Sequence, residues 1–549
     1  MIDHFLTSFS AAHDKWLDNT FVEITALIGL GAFAALGFAP LYCWPFLMIS
    51  FVGLFKMMAT QPFLKALRAL TAWSFGFFLV SFYWVSLSMG ADLKKFWFLL
   101  PFSLLGIPLL IALLHTAIFG FLMLFFRQHN QKKNFEDLAF WLVFWLAWTL
   151  SEWARAHFPG APLPWNFLAH MWGDTLSVMQ SASLIGTNAL SFLTCGFFLL
   201  PALWIMPLEK RRHKTRLSLT SLLVGLFVLG SVWGAFRPQI TPCHENTFMR
   251  LVQPNISPQE KLQGALYQAS HHKRLKELTR LPSQEPLTHI LWPEVAFSYV
   301  ISHTKYVFWQ PPLTKHQTLV AGFMRAASQK LFNSLFVILP TGAIEGTYDK
   351  QHLAPFGEYV PGRRLLETFL PTHWIKAVTA GGQDFSAGTE NKTLSLKGAP
   401  PFMPLICFDT AFNTHVRAQD PKPQWLLELT NDAWFQDSWG LYQHLDLGRF
   451  RAIETGLPLV RVTNTGISAL ISPYGQVLEK LPILEESVLD FKLPKGLQHT
   501  WFQQTQNLPL IAGLFCLFVF LLWLTSTPAP TSHKTPPKKK HPKTTKRTS

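Results

Sequence analysis

Charge is scarce in this 549-residue sequence: 14% of residues are charged, against about 25% in an average soluble domain. Cysteine is scarce too. Five cysteines in the whole chain exclude a disulfide-stapled scaffold. No cluster of Cys and His has the spacing of metal ligands, and the nucleophilic chemistry read below requires no metal or organic cofactor. What the chain has instead is apolar bulk: 49% hydrophobic residues, 49 Phe, 21 Trp and a mean hydropathy of +0.21. That composition excludes disorder over most of the length and argues against a wholly soluble protein. The net charge of +15 fits either nucleic acid or a membrane, so the positions of the charges must decide.

Eight runs are long and apolar enough to read as transmembrane helices: 20–39, 41–59, 69–90, 97–126, 137–157, 182–206, 217–236 and 508–527. Residues 1–19 are polar and the first run is long enough to span, so no cleavable signal is expected. With the N-terminus on the cytoplasmic side, 18 basic residues fall in cytoplasmic loops and the tail, among them Lys56, Arg68, Arg127, Lys132, Lys133, Lys210, Arg211, Arg212 and Lys538. Only Lys94, Lys95 and Arg155 fall in short outside loops. This is the positive-inside bias. It accounts for the net charge and removes the motive for a nucleic-acid partner. Ionisable residues inside the runs are few. Glu23 and Glu152 lie near run ends and are expected at the interface, and His115 is expected to be buried and hydrogen-bonded. No relay of such groups exists to support a transporter.

Between the seventh and eighth runs lies a stretch of ordinary soluble composition. Strands are expected at 249–255, 287–293, 317–323, 333–340, 403–408, 425–430, 459–464 and 467–472. A helix is expected at 257–281, with Ser257 as N-cap and Pro258 at the first helical position. Another fits 440–456. Turn signals sit at Thr341-Gly342 and Pro473-Tyr474-Gly475. The pattern is a layered α/β domain. Three residues stand near strand ends: Glu294, Lys350 and Cys407. Taken singly, each has an ordinary reading: a loop carboxylate, a turn lysine, a small buried thiol. Taken together they form a set for acyl transfer. A carboxylate can accept the thiol proton, the thiolate can attack a carbonyl, and the ammonium can stabilise the oxyanion.

Longer motifs set these three in context: LGFAPLYCWPF, WTLSEWARAHF and PWNFLAH in the apolar half, then LVQPNI, LWPE, YDKQHLAPFGEYVPGR, PLICFD, TNDAWFQDS and RAIETGLPLVRVTNTGISALISPYG. In this order the sequence resembles the nitrilase superfamily, and more closely the membrane-anchored apolipoprotein N-acyltransferase family. The resemblance implies a nitrilase-like α-β-β-α sandwich at 241–500. This would be carried by a seven-helix membrane domain at 1–240, an eighth helix at 508–527 and a basic tail at 531–549. It carries a Glu-Lys-Cys triad onto Glu294, Lys350 and Cys407, a second essential carboxylate onto Glu358, and supporting positions onto Asn333 and Trp434. Four positions depart from the family pattern: Phe408 where Tyr is usual, Asp409 where Glu is usual, Leu262 for a Trp and Gln436 for a Gly.

The activity implied is transfer of an acyl chain from a membrane phospholipid, phosphatidylethanolamine by family analogy. The chain passes through a thioester on Cys407 to the N-terminal amine of diacylglyceryl apolipoproteins. The implied setting is a bacterial inner membrane, with both termini cytoplasmic, the catalytic domain periplasmic and the protein a monomer. A membrane-tethered amidase that hydrolyses a C–N bond is the alternative. Single cysteines at Lys133 and Arg212 are predicted to react with a membrane-impermeant thiol reagent only after the inner membrane is opened, and one at Lys392 without opening. Labelling of Arg212→Cys in sealed spheroplasts would reverse the orientation.

Overall fold

In the computed structural model, six segments are long and apolar enough to cross a membrane: Thr20–Gly37, Phe63–Gly90, Trp97–Gln128, Ala182–Ile205, His213–Ala235 and Leu508–Thr525. The structure describes residues 20–129, 137–206, 213–237, 240–302, 305–369, 371, 383–390, 392–413 and 421–526. Lys132, Lys133, Lys210, Arg211, Arg212 and the tail 531–549 lie outside them. The long helices are α1 (Thr20–Ala34), α2 (Trp44–Thr60), α3 (Phe63–Leu87), α4 (Ile107–His129), α5 (Asp137–Ala156), α6 (Ala182–Phe198) and α7 (His213–Ala235), with α8 (Gly264–Thr279), α9 (Trp439–Thr455) and α10 (Leu508–Ser526) further on. Two of the eight expected spans fall outside the six. Helix α2 is apolar but has only 17 residues. Helix α5 has 20 residues but includes Asp137, Glu152 and Arg155.

Small residues let the first helices meet closely, as apolar surroundings favour. A Cβ on Gly76 of α3 would lie 2.0 Å from the Ile28 carbonyl oxygen of α1, and one on Gly31 would lie 1.9 Å from that of Trp73. Aromatic rings fill the bundle interior, with Trp73, Trp141 and Trp148 fully buried. Two expectations need correction here. Glu152 is not interfacial but buried, accepting from Ser191 Oγ at 2.5 Å, Leu168 N at 2.9 Å and Trp148 Nε1 at 3.3 Å. Its three donors come from inside the fold, from α5, from α6 and from the loop between them. His115 is buried, but neither ring nitrogen has a hydrogen-bond partner. Its ring instead packs edge-on against Phe78 and Trp148, with centroids 4.9 and 5.2 Å apart. Glu23 pairs with Arg68 at 2.9 Å.

The soluble half is two sheets face to face. The first runs β13-β1-β2-β4-β5-β6, with β3 (Val300–Ile301) beside β4; the second runs β12-β11-β10-β9-β8-β7. Their strands are β1 (Cys243–Gln253), β2 (His289–Leu291), β4 (Thr318–Ala327), β5 (Lys330–Ile338), β6 (Ile344–Asp349), β7 (Leu394–Leu396), β8 (Ala399–Ile406), β9 (Trp425–Thr430), β10 (Leu459–Thr463), β11 (Ala469–Ile471), β12 (Val477–Lys480) and β13 (Ser487–Pro494). Strand alternation makes the layers. Leu427, Leu429, Val460 and Val462 face the first sheet's Leu251, Val320 and Val337, while Leu426 and Leu459 face outward to Leu441, Leu445 and Ala452 of α9. On the other outer face, Val252, Ile290 and Leu319 pack with Leu275 of α8. The result is the expected α-β-β-α order. The helix expected at 257–281 is broken. Ser257 caps it, its Oγ accepting from Glu260 N, but the chain turns at Gln263 before α8 begins at Gly264. Glycine is the poorest helix former apart from proline.

Helix α9 joins the two halves. Its opposite side, Leu447, Phe450 and Ile453, belongs to the core of the membrane bundle. There the side-chain oxygen of Gln443 accepts from Trp84 Nε1 and Trp165 Nε1, both at 3.0 Å, and from Asn166 Nδ2 at 3.2 Å. Tyr42 donates to Asp446 at 2.8 Å, and Thr187 Oγ1 to Glu454 at 2.6 Å. Gly76→Val is predicted to lower the thermal midpoint in detergent, in line with an overpacking cost of about 1–3 kcal/mol. Gly29→Ala, whose added carbon meets nothing within 4 Å, should leave the midpoint unchanged. Equal midpoints for the two variants would refute the close approach of α1 and α3.

Candidate active site

Three strand ends converge. Glu294 lies three residues past β2, Lys350 directly follows β6, and Cys407 directly follows β8. The approach of Glu294 depends on Gly322 of β4, because a Cβ there would lie 2.7 Å from the Glu294 Cα. Cys407 has a φ of 49°, the left-handed region, as its strand breaks into the helical turn Cys407–Ala411. A residue held there is strained by about 1–3 kcal/mol.

Lys350 and Glu294 are both buried. Lys350 Nζ lies 2.8 Å from Glu358 Oε2 and 3.6 Å from Glu294 Oε1. Asn333 Nδ2 donates to Glu294 Oε1 at 2.6 Å and to Glu358 Oε1 at 2.9 Å. Glu358 Oε2 also accepts from Ala354 N at 2.8 Å. The structure thus brings Glu294, Lys350, Glu358 and Asn333 into one network, with Cys407 within its electrostatic reach.

The charges tune one another. Burial raises the Glu294 carboxyl above its usual range, and neighbouring Lys350 only partly opposes this. Burial works against the Lys350 ammonium, but Glu358 and the groups at Cys407 and Glu294 outweigh it and hold its pKa above the ordinary value. The Cys407 thiol is pushed well up, first by burial and then by the Glu294 charge, while Lys350 and a hydrogen bond from Thr430 favour the thiolate. Burial thus favours the protonated form of both Cys407 and Glu294, and the Lys350 charge opposes it at each.

Asp409 is fully buried. It accepts from Tyr348 OH at 2.9 Å, His352 N at 2.8 Å and Ile406 N at 3.1 Å. It ties the Cys407 turn to β6 and to the chain after Lys350. Phe408 faces the other way, into the core of the membrane bundle. Trp434 is half-buried in the turn Asp432–Phe435, whose Phe435 packs on Trp84 with centroids 4.6 Å apart. Gln436, with φ 51°, donates to the Leu87 carbonyl at 2.8 Å.

Sequence reading missed two groups. Lys261 Nζ donates to the Val295 carbonyl at 2.6 Å and the Glu294 carbonyl at 3.3 Å. Burial lowers its pKa to about 8, against the pull of Glu294. Beneath Cys407 sit four buried ionisable groups: Glu428, Asp432, His444 and Arg461. Arg461 donates to Glu428, and to Asp432 at 2.6 Å. His444 Nδ1 lies 2.9 Å from Asp432, and its Nε2 lies 3.3 Å from Glu428 and 3.4 Å from the Cys407 carbonyl oxygen. Burial would raise Asp432, but Arg461 and His444 hold it down to about 2. A signal was present. Glu428 and Arg461 interrupt apolar strands, and they occupy paired positions of β9 and β10.

Two layered sheets between helices are the fold of a carbon-nitrogen hydrolase domain, and residues 250–500 match the family model of that description. Residues 30–200 match the model for the apolipoprotein N-acyltransferase N-terminal domain. The apolipoprotein N-acyltransferase of Rhodopseudomonas palustris is 31% identical over 521 residues, 91% of this chain and 94% of its own. That of Bradyrhizobium diazoefficiens is 32% identical over 522 residues, again 91% and 94%. The chain belongs to the apolipoprotein N-acyltransferase family. Among solved structures, a CN-hydrolase superfamily protein of Xanthomonas campestris is 20% identical with a TM-score of 0.34, covering 46% of this chain and 91% of its own. A Nesterenkonia amidase is 19% identical with a TM-score of 0.33, covering 50% and 99%.

The opposed charges predict opposite shifts in thiol reactivity. The pH midpoint of Cys407 alkylation by iodoacetamide should lie above that of a free thiol. Lys350→Met should move it further up, and Glu294→Gln should move it down. Shifts of the same sign would contradict the arrangement.

Proposed function

We propose that the protein is a phospholipid:apolipoprotein N-acyltransferase working by a two-step exchange on Cys407. Glu294 takes the thiol proton as the sulfur attacks an ester carbonyl of a phospholipid such as phosphatidylethanolamine. Lys350 stabilises the oxyanion. The C–O bond breaks, Glu294 returns the proton to the departing lysophospholipid, and a thioester remains on Cys407. The N-terminal amine of a diacylglyceryl-cysteine then attacks the thioester. The C–S bond breaks, the amine's proton passes by way of Glu294 to sulfur, and an amide is left on the lipoprotein. Glu358 and Asn333 hold Lys350 and Glu294 in place. Trp434 belongs to a loop at the lipid entrance. The observation that carries this reading is the buried network in which Asn333 bridges Glu294 and Glu358 while Lys350 stands between the two carboxylates.

The same reading gives the chain eight membrane crossings, with α2 and α5 joining the six longer apolar segments. Residues 1–240 form the membrane domain, 241–500 the periplasmic catalytic domain, 508–527 the last span and 531–549 a cytoplasmic tail, in an inner-membrane protein acting as a single chain. Both substrates are then lipids, and a tethered site meets them by lateral diffusion in a fixed orientation.

Intact-protein mass spectrometry after incubation with phosphatidylethanolamine should show one added acyl mass, removed by neutral hydroxylamine. Cys407→Ala should gain none. Glu294→Gln should slow acylation by about 10²–10⁴-fold, and Lys350→Met by about 10²–10³-fold. A hydroxylamine-labile adduct on Cys407→Ala would assign the thioester to another sulfur.

A further inference from the structure

A cavity of about 330 Å³ lies where the membrane bundle meets the catalytic domain. Its walls come from the loop after α5, from α6, from α9 and from the segment that starts at the nucleophile turn. Ala411, Phe412 and Asn413, four to six residues past Cys407, form one side. The volume falls in the range of small-ligand sites.

The lining has a definite chemistry. It carries the guanidinium of Arg451 and the imidazoles of His157, His170 and His352, and no carboxylate. Arg451 is 3% exposed. One of its terminal nitrogens donates to Thr187 Oγ1 at 3.0 Å and lies 2.9 Å from Glu454 Oε2, but its Nε has no hydrogen-bond partner. A buried guanidinium nitrogen left without an acceptor is costly unless a ligand supplies one. His170 Nδ1 accepts from Phe167 N at 3.1 Å, which places the proton of the neutral ring on Nε2, a second donor. The remaining wall is apolar, with Phe158, Phe167, Phe412 and two prolines. A second, smaller hollow shares Ala156, His157, Phe167 and Asn188 with the cavity and is lined further by Thr149, Glu152 and Trp153 of α5 and Leu510 of α10. Trp153 is 49% exposed on the side of the bundle. The unpaired Nε of Arg451 and the imidazole donors suit an anion, phenyl walls suit glycerol and acyl carbons, and the neighbouring hollow, with Glu152 in its wall, lies toward the bundle's flank.

We propose that this cavity binds the phosphodiester of a phospholipid, with Arg451 as its main donor and Phe158, Phe167 and Phe412 against the glyceryl end. The proposal rests on the acyl-donor reading above and adds where that donor's phosphate is held. The site recognises phosphate attached to lipid and excludes a diacylglycerol that lacks it.

The test uses Cys407→Ala, which cannot be acylated, in detergent with native mass spectrometry. Phosphatidylethanolamine should be retained and diacylglycerol should not. Two added changes probe the site. Asn413→Asp places a carboxylate in the lining and leaves the Arg451–Glu454 pair intact. Arg451→Met with Glu454→Met removes both charges together, so neither stays buried alone. Each should weaken phospholipid retention at least ten-fold. In the Cys407 background, each should lower the ratio of acylation rates, phosphatidylethanolamine over a p-nitrophenyl acyl ester, by a similar factor. Retention unchanged in both variants, or diacylglycerol held as well as phospholipid, overturns the proposal. So does displacement of the lipid by millimolar inorganic phosphate, which assigns the site to the free anion. Protein that holds phospholipid as described but never gains acyl mass refutes the donor reading and upholds the cavity.

Discussion

Everything near Cys407 depends on one helix being buried on both sides. Helix α9 presents Leu441, Leu445 and Ala452 to the second sheet and Leu447, Phe450 and Ile453 to the membrane bundle. A helix so enclosed has no solvent face on which to leave polar groups, so most of those it carries are paired inside the fold. Gln443, Asp446 and Glu454 find theirs in the bundle, and His444 finds its own beneath the nucleophile. The bundle and the thiol are thereby set in fixed relation through a single rigid element.

The quartet of Glu428, Asp432, His444 and Arg461 is the costly part of this arrangement. Removing one member of a buried pair typically destabilises by about 3–5 kcal/mol, yet an apolar replacement of the whole set is often neutral. Net stability is therefore a poor account of why charges stand there. Their placement explains more. Arg461 locks β10 to β9 through Glu428 and reaches the turn of Asp432, while His444 approaches the carbonyl of the strained Cys407. The network fixes a backbone conformation that a plain apolar core would let relax.

Much of this was legible in the sequence because it is written in local patterns. The apolar runs marked most of the long helices, and β9, β10 and α9 lie within a residue or so of their expected limits. Glu294 and Cys407 stand out because apolar strand runs lead into them, and Lys350 because of the loop rich in Pro, Gly and aromatics that holds it. Strand β6 was missed because only a polar IEGTYD marks it, and β12 because three of its four residues are exposed. Glu152 was misplaced because its donors, Ser191 and Leu168 N, are brought to it by α6 and the loop after α5, and no local pattern records that. The four charges beneath Cys407 are likewise tertiary. Only their intrusion into apolar strands hinted at them.

Phe408 and Ala411 follow Cys407 within its own turn, yet they belong to the core of the bundle rather than to that of the sandwich. The order of synthesis then matters. Residues of α1 to α7 leave the ribosome first, the sheets follow, and α10 comes last. A sandwich that has closed its own two sheets still has an unfinished Cys407 turn until the bundle accepts those two side chains. Maturation of the site is thus coupled to assembly on the membrane helices, and a sandwich that folds apart from them carries its thiol on an incompletely packed loop. The packing around Cys407 is thereby tied to that of the bundle.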